Sequence, residues 1–434
     1  MSEQTSIPKH KITRAAKLAG TGVKVGVNYL KYKQKQKGLD GDAAEEAFHD
    51  FTAAETYSIF SELKGGPLKL AQILSLDKNM MPSQYVDEFS KAQYSAPPLS
   101  YPLVVKTFEK EFGKKPNELF DEFTQSAVAG ASIGQVHQAK KDGQTYAVKV
   151  QYPGVAQSLN SDLAIVKPIA MRLFKLNSKT IEPYLKEVKA RLSEETDYEF
   201  ELKSSMELVE KSKDLPNTKF PQYYPELSTK RILTMQWVDG LLFDQYIESD
   251  ATKAERNHIG QTLWDFYAHQ IHELLVFHAD PHPGNFKVLN DELWVLDFGC
   301  VKTITPQFYQ EYFKLMDPEV YLDDAIFTQA LYDIQILLPS DNPEEVNRLV
   351  SLMREASELL ARPFASKTFN FGDESYFEEL AAFGERNRLD QELKQLSTAR
   401  GNADALYLNK TFFSLYNLLG SLNATVDTSK GIEG

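Results

Sequence analysis

The sequence predicts an α+β fold, and three observations carry that prediction. Residues 44–91 follow a helical period. Residues 120–152 switch to period two with hairpin signals. From residue 158 the helical period returns, and it dominates everything beyond Thr305. Helix, then a small antiparallel sheet, then a large helical lobe is the order expected.

The elements follow from local chemistry. In the first helical stretch Gly65-Gly66-Pro67 marks a break, with Pro67 suited to open the next helix. The three prolines between Ser95 and Pro102 read as a linker. Residues 120–128, 135–139 and 144–152 read as strands, the last two joined at the turn signal Lys141-Asp142-Gly143. Residues 158–212 return to helix, 231–237 form a short apolar strand, and 254–277 a long helix. Residues 286–289 and 293–296 flank Asn290-Asp291-Glu292 as a second hairpin. No internal repeat is present.

Composition limits the function classes. The 434 residues include 42% apolar and 25% charged residues, ordinary for a globular protein, and this excludes fibrous or wholly disordered classes. The net charge of −13 argues against a nucleic-acid binder. It hides an asymmetry: residues 1–38 hold nine cations against one acid, Glu3, a net +8, so the remainder carries −21. A Lys-rich segment that alternates with apolar residues is either a solvated arm or a helix lying on an anionic membrane surface. The single cysteine, Cys300, allows no intrachain disulfide and fits a reducing compartment. No secretory signal is visible, and the arm is Arg-poor for a transit peptide. The most apolar late stretch, 406–426, is interrupted by Asn409, Lys410, Asn417 and Asn423, so no transmembrane helix is expected. The expected location is cytoplasmic and peripheral on the inner face of a membrane, with a mitochondrial location left open.

The chemistry is concentrated in His278-Ala279-Asp280-Pro281-His282-Pro283-Gly284-Asn285, followed by Asp297-Phe298-Gly299. An Asp, then an Asn five residues on, then Asp-Phe-Gly after a hairpin is the protein-kinase arrangement. Asp280 would meet the attacking hydroxyl or water, while the hard oxygen ligands Asn285 and Asp297 would hold Mg²⁺ on ATP phosphates. The two prolines keep the segment extended and break the helix that a zinc site at His278 and His282 would need. No Cys or Glu completes such a set.

Upstream, Tyr146-Ala147-Val148-Lys149-Val150 places Ala147 and Lys149 on one strand face, which suits a small residue against adenine and a Lys on the α/β-phosphates. The helix between holds Glu194, Glu195, Asp197, Glu199 and Glu201. Asp197 and Glu201, four apart, share a face, and either can pair with Lys149. Between the first two strands, Ala129-Gly130-Ala131-Ser132-Ile133-Gly134 is small enough for backbone N–H groups to approach phosphates.

Together these residues resemble the ABC1/UbiB/ADCK (COQ8-like) family of atypical kinases, over most of the chain. Residues 129–132 are similar to the family's Ala-rich nucleotide loop, with Gly130 where Ala is usual. Glu195-Thr196-Asp197 resembles its E-x-D motif, with Glu201 in the place of the Lys-pairing helix Glu. Lys69-Leu70-Ala71-Gln72 resembles its K-x-G-Q motif, with Ala71 in place of Gly. Met235, Gln236 and Val238 lie where the hinge would be, Gln236 standing where an acid is more usual. The resemblance implies a two-lobed protein-kinase-like fold with N-terminal and C-terminal helical extensions, Mg-ATP binding, and a link to isoprenoid-quinone (ubiquinone) biosynthesis at a membrane. It also implies that Lys69 and Gln72 close over the active site where a protein substrate would bind.

The expected organisation is therefore a basic arm over 1–40, a helical extension over 41–117, an N-lobe over 118–238 and a C-lobe over 239–434. No A-P-E follows Asp297-Phe298-Gly299, so the long segment that docks a peptide is missing. The expected function is an ATPase or small-molecule or lipid kinase. A catalytically silent ATP-binding scaffold for quinone-biosynthesis enzymes and an aminoglycoside- or choline-type kinase remain as alternatives.

Overall fold

A computed structural model of the chain describes residues 53, 100–130, 133–154, 160–164, 167–168, 170–171, 178–389 and 403–429. The basic arm, Lys69, Gln72, Ala131 and Ser132 lie outside the described residues.

In chain order the main elements begin with α1 (Tyr101–Phe112), β1 (Glu122–Phe123), β2 (Ala129–Gly130), β3 (Gly134–Lys141) and β4 (Gln144–Gln151). There follow α2 (Ser178–Glu195), α3 (Tyr198–Ser212), β5 (Thr218–Lys219), β6 (Ile232–Gln236), β7 (Leu241–Leu242) and α4 (Lys253–Ala268). The site region comprises β8 (Val276–His278), β9 (Phe286–Leu289), β10 (Glu292–Val295) and β11 (Val301–Thr303). Last come α5 (Pro306–Lys314), α6 (Asp324–Asp333), α7 (Pro343–Ala361), β12 (Thr368–Asn370), α8 (Glu374–Leu389), α9 (Ala403–Ser421) and β13 (Thr425–Asp427). The described residues fall into two compact units, the chain passing from one to the other after Leu202, Pro221 and Trp237.

The first unit is built on a five-stranded antiparallel sheet in the order β1-β3-β4-β6, with β2 also on β3. The β3–β4 loop is two residues, Asp142 and Gly143, both at positive φ (50° and 78°), the turn whose twist matches that of the strands. Along β4 the period-two pattern separates two functions. Tyr146, Val148 and Val150 enter a core with Ala139, Ile232 and Phe108 of α1, while Ala147 and Lys149 face the other way. Phe108 packs edge-on against Phe120 and Phe123. Only Glu122–Phe123 of the expected strand over 120–128 joins the sheet. Beyond it the chain keeps single contacts, Thr124 N–H to the Gln138 carbonyl and Val128 N–H to that of Val136.

The second unit has its core around α4, whose Ile259, Leu263, Trp264, Phe266 and Tyr267 are buried against α9 and the site strands. Its main sheet runs β5-β10-β9-β7; the expected hairpin forms its antiparallel β9–β10 pair, and β5 adds to β10 in parallel. The β9–β10 turn repeats the chemistry of the first hairpin, with Asn290 and Asp291 at φ 53° and 59° and Glu292 already in the strand. The helix expected over 254–277 stops earlier. Its last turn, His269–Leu274, widens into a π-helix, and Leu275 at φ 53° turns the chain into β8, which contains Phe277. The end of the chain is mostly helical as expected, with the β12–β13 ribbon added. Among the described residues no helix is long and apolar enough to cross a membrane.

Candidate active site

In the first unit Lys149 projects from the face of β4 away from the aromatic core. Its Nζ lies 2.7 Å from Glu201 Oε1, with side chains only 9% and 4% exposed. The Tyr198 ring sits 5.1 Å from the same ammonium. Glu201 reaches this position because Thr196-Asp197 breaks α2 from α3 and turns the first turn of α3 toward the sheet. Asp197 serves that turn instead. Its Oδ1 accepts the Phe200 N–H at 3.3 Å and its Oδ2 pairs with Lys230 at 3.0 Å. Of the two carboxylates open to Lys149 on helical spacing, the structure selects Glu201.

The small-residue loop shows one steric reason for its composition. A Cβ on Gly134 would meet the Tyr198 hydroxyl at 2.6 Å and the Val150 carbonyl at 2.8 Å. Ala129 and Gly130 form β2, Ile133 is buried, and its carbonyl accepts the Tyr152 N–H. Ala147 pairs with Gln138 on one side and Met235 on the other. The Gln236 side chain accepts the Gln222 N–H at 3.3 Å. Glu195 ends α2. His137, beneath the same sheet, is buried between the Thr124 carbonyl at Nδ1 and Gln135 at Nε2, and burial lowers its pKa to about 4.

In the second unit the Asp280 loop and Asp297 bracket the β9–β10 hairpin, and pairing of β8 with β11 joins their bases. Val301 lies opposite His278, the Ala279 N–H donates to the Cys300 carbonyl at 2.8 Å, and the Leu296 N–H donates to that of Asn285 at 2.9 Å. Phe298 is buried and anchors the Asp297 turn, in which Asp297 Oδ1 accepts the Gly299 N–H. Asn285 Nδ2 donates to the Asp280 carbonyl at 2.9 Å, leaving its amide oxygen as the acceptor. A carboxylate and an amide oxygen are hard donors of the kind that Mg²⁺ takes.

The two histidines are structural. The Tyr267 hydroxyl lies 3.2 Å from His278 Nδ1, and the Gln270 side chain accepts the His278 N–H at 2.8 Å. The π-turn delivers Gln270 to that place, as such inserted residues do near functional sites. His282 Nδ1 accepts the Gly284 N–H, and burial lowers the imidazole pKa, with Asp280 and Asp244 opposing. Val238, expected at the hinge, presents its carbonyl to Lys287 Nζ at 2.6 Å, and burial lowers the pKa of that lysine.

One charged partner was not legible in the sequence. Lys410 of α9 places Nζ 2.8 Å from Asp280 Oδ1, with side-chain exposures of 20% and 39%. Sequence reasoning met Lys410 only as an interruption in an apolar stretch. No spacing rule connects residues 130 apart.

The family model of the ABC1 atypical kinase-like domain matches residues 91–329, more than half of the chain. The chain is 32% identical over 306 residues to the chloroplastic protein Activity of BC1 Complex Kinase 8 of Arabidopsis thaliana, a match spanning 66% of this chain and 39% of that protein. It is 26% identical over 390 residues to the mitochondrial atypical kinase COQ8B of zebrafish (Danio rerio), spanning 86% of this chain and 61% of the relative. A Mycobacterium tuberculosis protein solved in complex with erythromycin shares the fold with TM-score 0.59 and 24% identity, over 90% of this chain and 97% of that one. The chain has a kinase-like fold and belongs to the ABC1 atypical kinase-like family.

Proposed function

We propose that the chain is a Mg-ATP-dependent ATPase or small-molecule or lipid phosphotransferase that supports isoprenoid-quinone (ubiquinone) biosynthesis. The observation that supports this reading is the backbone coupling of the segments that carry Asp280, Asn285 and Asp297, through the β8–β11 pair and the Leu296 N–H to Asn285 carbonyl bond. In this reading Lys149, held by Glu201, takes the α/β-phosphates, while residues 129–134 approach the phosphates through backbone N–H groups. Asn285 and Asp297 would hold Mg²⁺, which would supply neutralisation of charge on the transferring phosphates. Asp280 orients the attacking hydroxyl or water and receives its proton.

Two features favour a small acceptor over a protein. Only six residues separate Gly299 from Pro306, and β11 occupies three of them, so no peptide-docking segment fits there. In the resemblance Lys69 and Gln72 close over the site. The quinone connection rests on that same resemblance and on the kinship with COQ8B. The basic arm is the assigned contact to an anionic membrane surface.

Phosphate release from Mg-ATP by the full chain tests the reading. Asp280→Asn should lower turnover by about 10²- to 10⁴-fold, the range for loss of a positioned acid–base group. Unchanged release in that variant would contradict the role.

A further inference from the structure

We propose that Lys410 is a positioning residue for phosphoryl transfer, holding the Asp280 carboxylate in the orientation that receives the proton. This rests on the phosphotransfer reading above. In that step the attacking oxygen bonds to the γ-phosphorus and its proton passes to Asp280. The bond from the γ-phosphorus to the bridging oxygen breaks, and ADP leaves with the electron pair.

The geometry separates the backbone of Asp280 from its side chain. The Asp280 carbonyl accepts the His282 N–H at 2.7 Å and the Asn285 side-chain amide at 2.9 Å, so the loop itself fixes the main chain. The carboxylate is met by Lys410 from a different element, at 2.8 Å. That element is well packed. Leu408, Thr411, Phe412, Leu415 and Tyr416 of α9 are buried, and the Tyr416 hydroxyl donates to the Leu360 carbonyl at 3.0 Å. Beside Lys410, Asn409 Oδ1 accepts the Tyr312 hydroxyl at 2.5 Å. Three residues back, the Tyr407 ring receives Lys302 of β11 at 4.8 Å, so α9 also touches the strand that follows Asp297.

Stability does not account for this lysine. Only Asp404 and Lys410 are charged among the 19 residues of α9, and a half-exposed ion pair adds little to folding. A lysine that is one of only two charges on its helix, aimed at the one carboxylate of the Asp280 loop, is explained by what it does to that carboxylate. A well-packed support of this kind is what holds a reacting group within a fraction of an ångström of its productive place.

Steady-state turnover of Mg-ATP by the full chain tests this in wild type, Lys410→Met, Lys410→Arg and Asp280→Asn. Lys410→Met should lower kcat about 10- to 100-fold, the scale for a misplaced reacting group. Its KM for ATP should stay within about twofold, because the lost interaction does not bind nucleotide. Lys410→Arg should recover most of kcat, which a loss of packing would not allow. If Lys410→Met does not fold, Lys410→Gln takes its place. Wild-type kcat in Lys410→Met beside an inactive Asp280→Asn overturns the positioning role alone. So does an Arg variant as impaired as the Met variant. Full turnover in Asp280→Asn overturns the phosphotransfer reading on which the inference rests.

Discussion

Two lysine–carboxylate pairs of nearly equal length sit in opposite surroundings. Lys149–Glu201 in the first unit, at 2.7 Å, is almost fully buried; Lys410–Asp280 in the second, at 2.8 Å, is partly open. Distance is therefore not what distinguishes them. Burial removes water from both charges, so each depends on the other, and loss of one leaves an uncompensated ion in a poor solvent. An open pair keeps water on both partners and can exchange one for a substrate at small cost. The first pair organises a sheet and a helix. The second leaves its carboxylate partly exposed.

The largest effect that separates the pairs is on stability. Glu201→Gln should destabilise the chain by about 3–5 kcal/mol, the cost of orphaning a buried charge. Urea denaturation checks this, and a loss below about 1 kcal/mol would place the pair in the same class as surface bridges.

A second measurement probes how closed the first unit is. His137 is held neutral with its pKa near 4 instead of 6.5 by burial. The unfolded chain therefore takes up the proton first as pH falls, so stability is intact above pH 6.5 and declines toward pH 4. His272 in the second unit, also near 4 through burial, should add a decline of the same sign. Each histidine accounts for about 3 kcal/mol across that window at 1.36 kcal/mol per unit. His137→Gln should make the pH slope of the urea midpoint shallower between pH 6.5 and 4; an unchanged slope would mean that the imidazole is solvated.

The smallest effect belongs to the open pair. Lys410→Met should change folding stability by no more than about 1 kcal/mol, even where it lowers turnover. A stability loss matching that of Glu201→Gln would erase the contrast.

What the sequence made legible follows the same division. Local chemistry announced both hairpins, since Asp142-Gly143 and Asn290-Asp291 carry the positive φ that such turns need. Period two along β4 placed Ala147 and Lys149 on one face, and helical spacing narrowed the partner of Lys149 to two acids. The choice of Glu201 over Asp197 depended on Lys230, which lies 33 residues beyond Asp197 and competes for it. The π-turn at 269–274 escaped because nothing in its composition departs from an ordinary helix. Its role, bringing Gln270 beneath His278, exists only once β8 has formed. Lys410 escaped for a related reason: a helix period tells which residues share a face, and nothing about which distant loop that face will meet.

The measurement that bears most directly on the account is Mg-ATP binding by calorimetry to wild type, Lys149→Met and Asp297→Ala, each first shown to be folded. The account predicts binding by wild type and a loss of about tenfold or more in both variants, the worth of one charged hydrogen-bond partner. Wild-type affinity in either variant, with the fold intact, would contradict the nucleotide-binding role proposed for that residue.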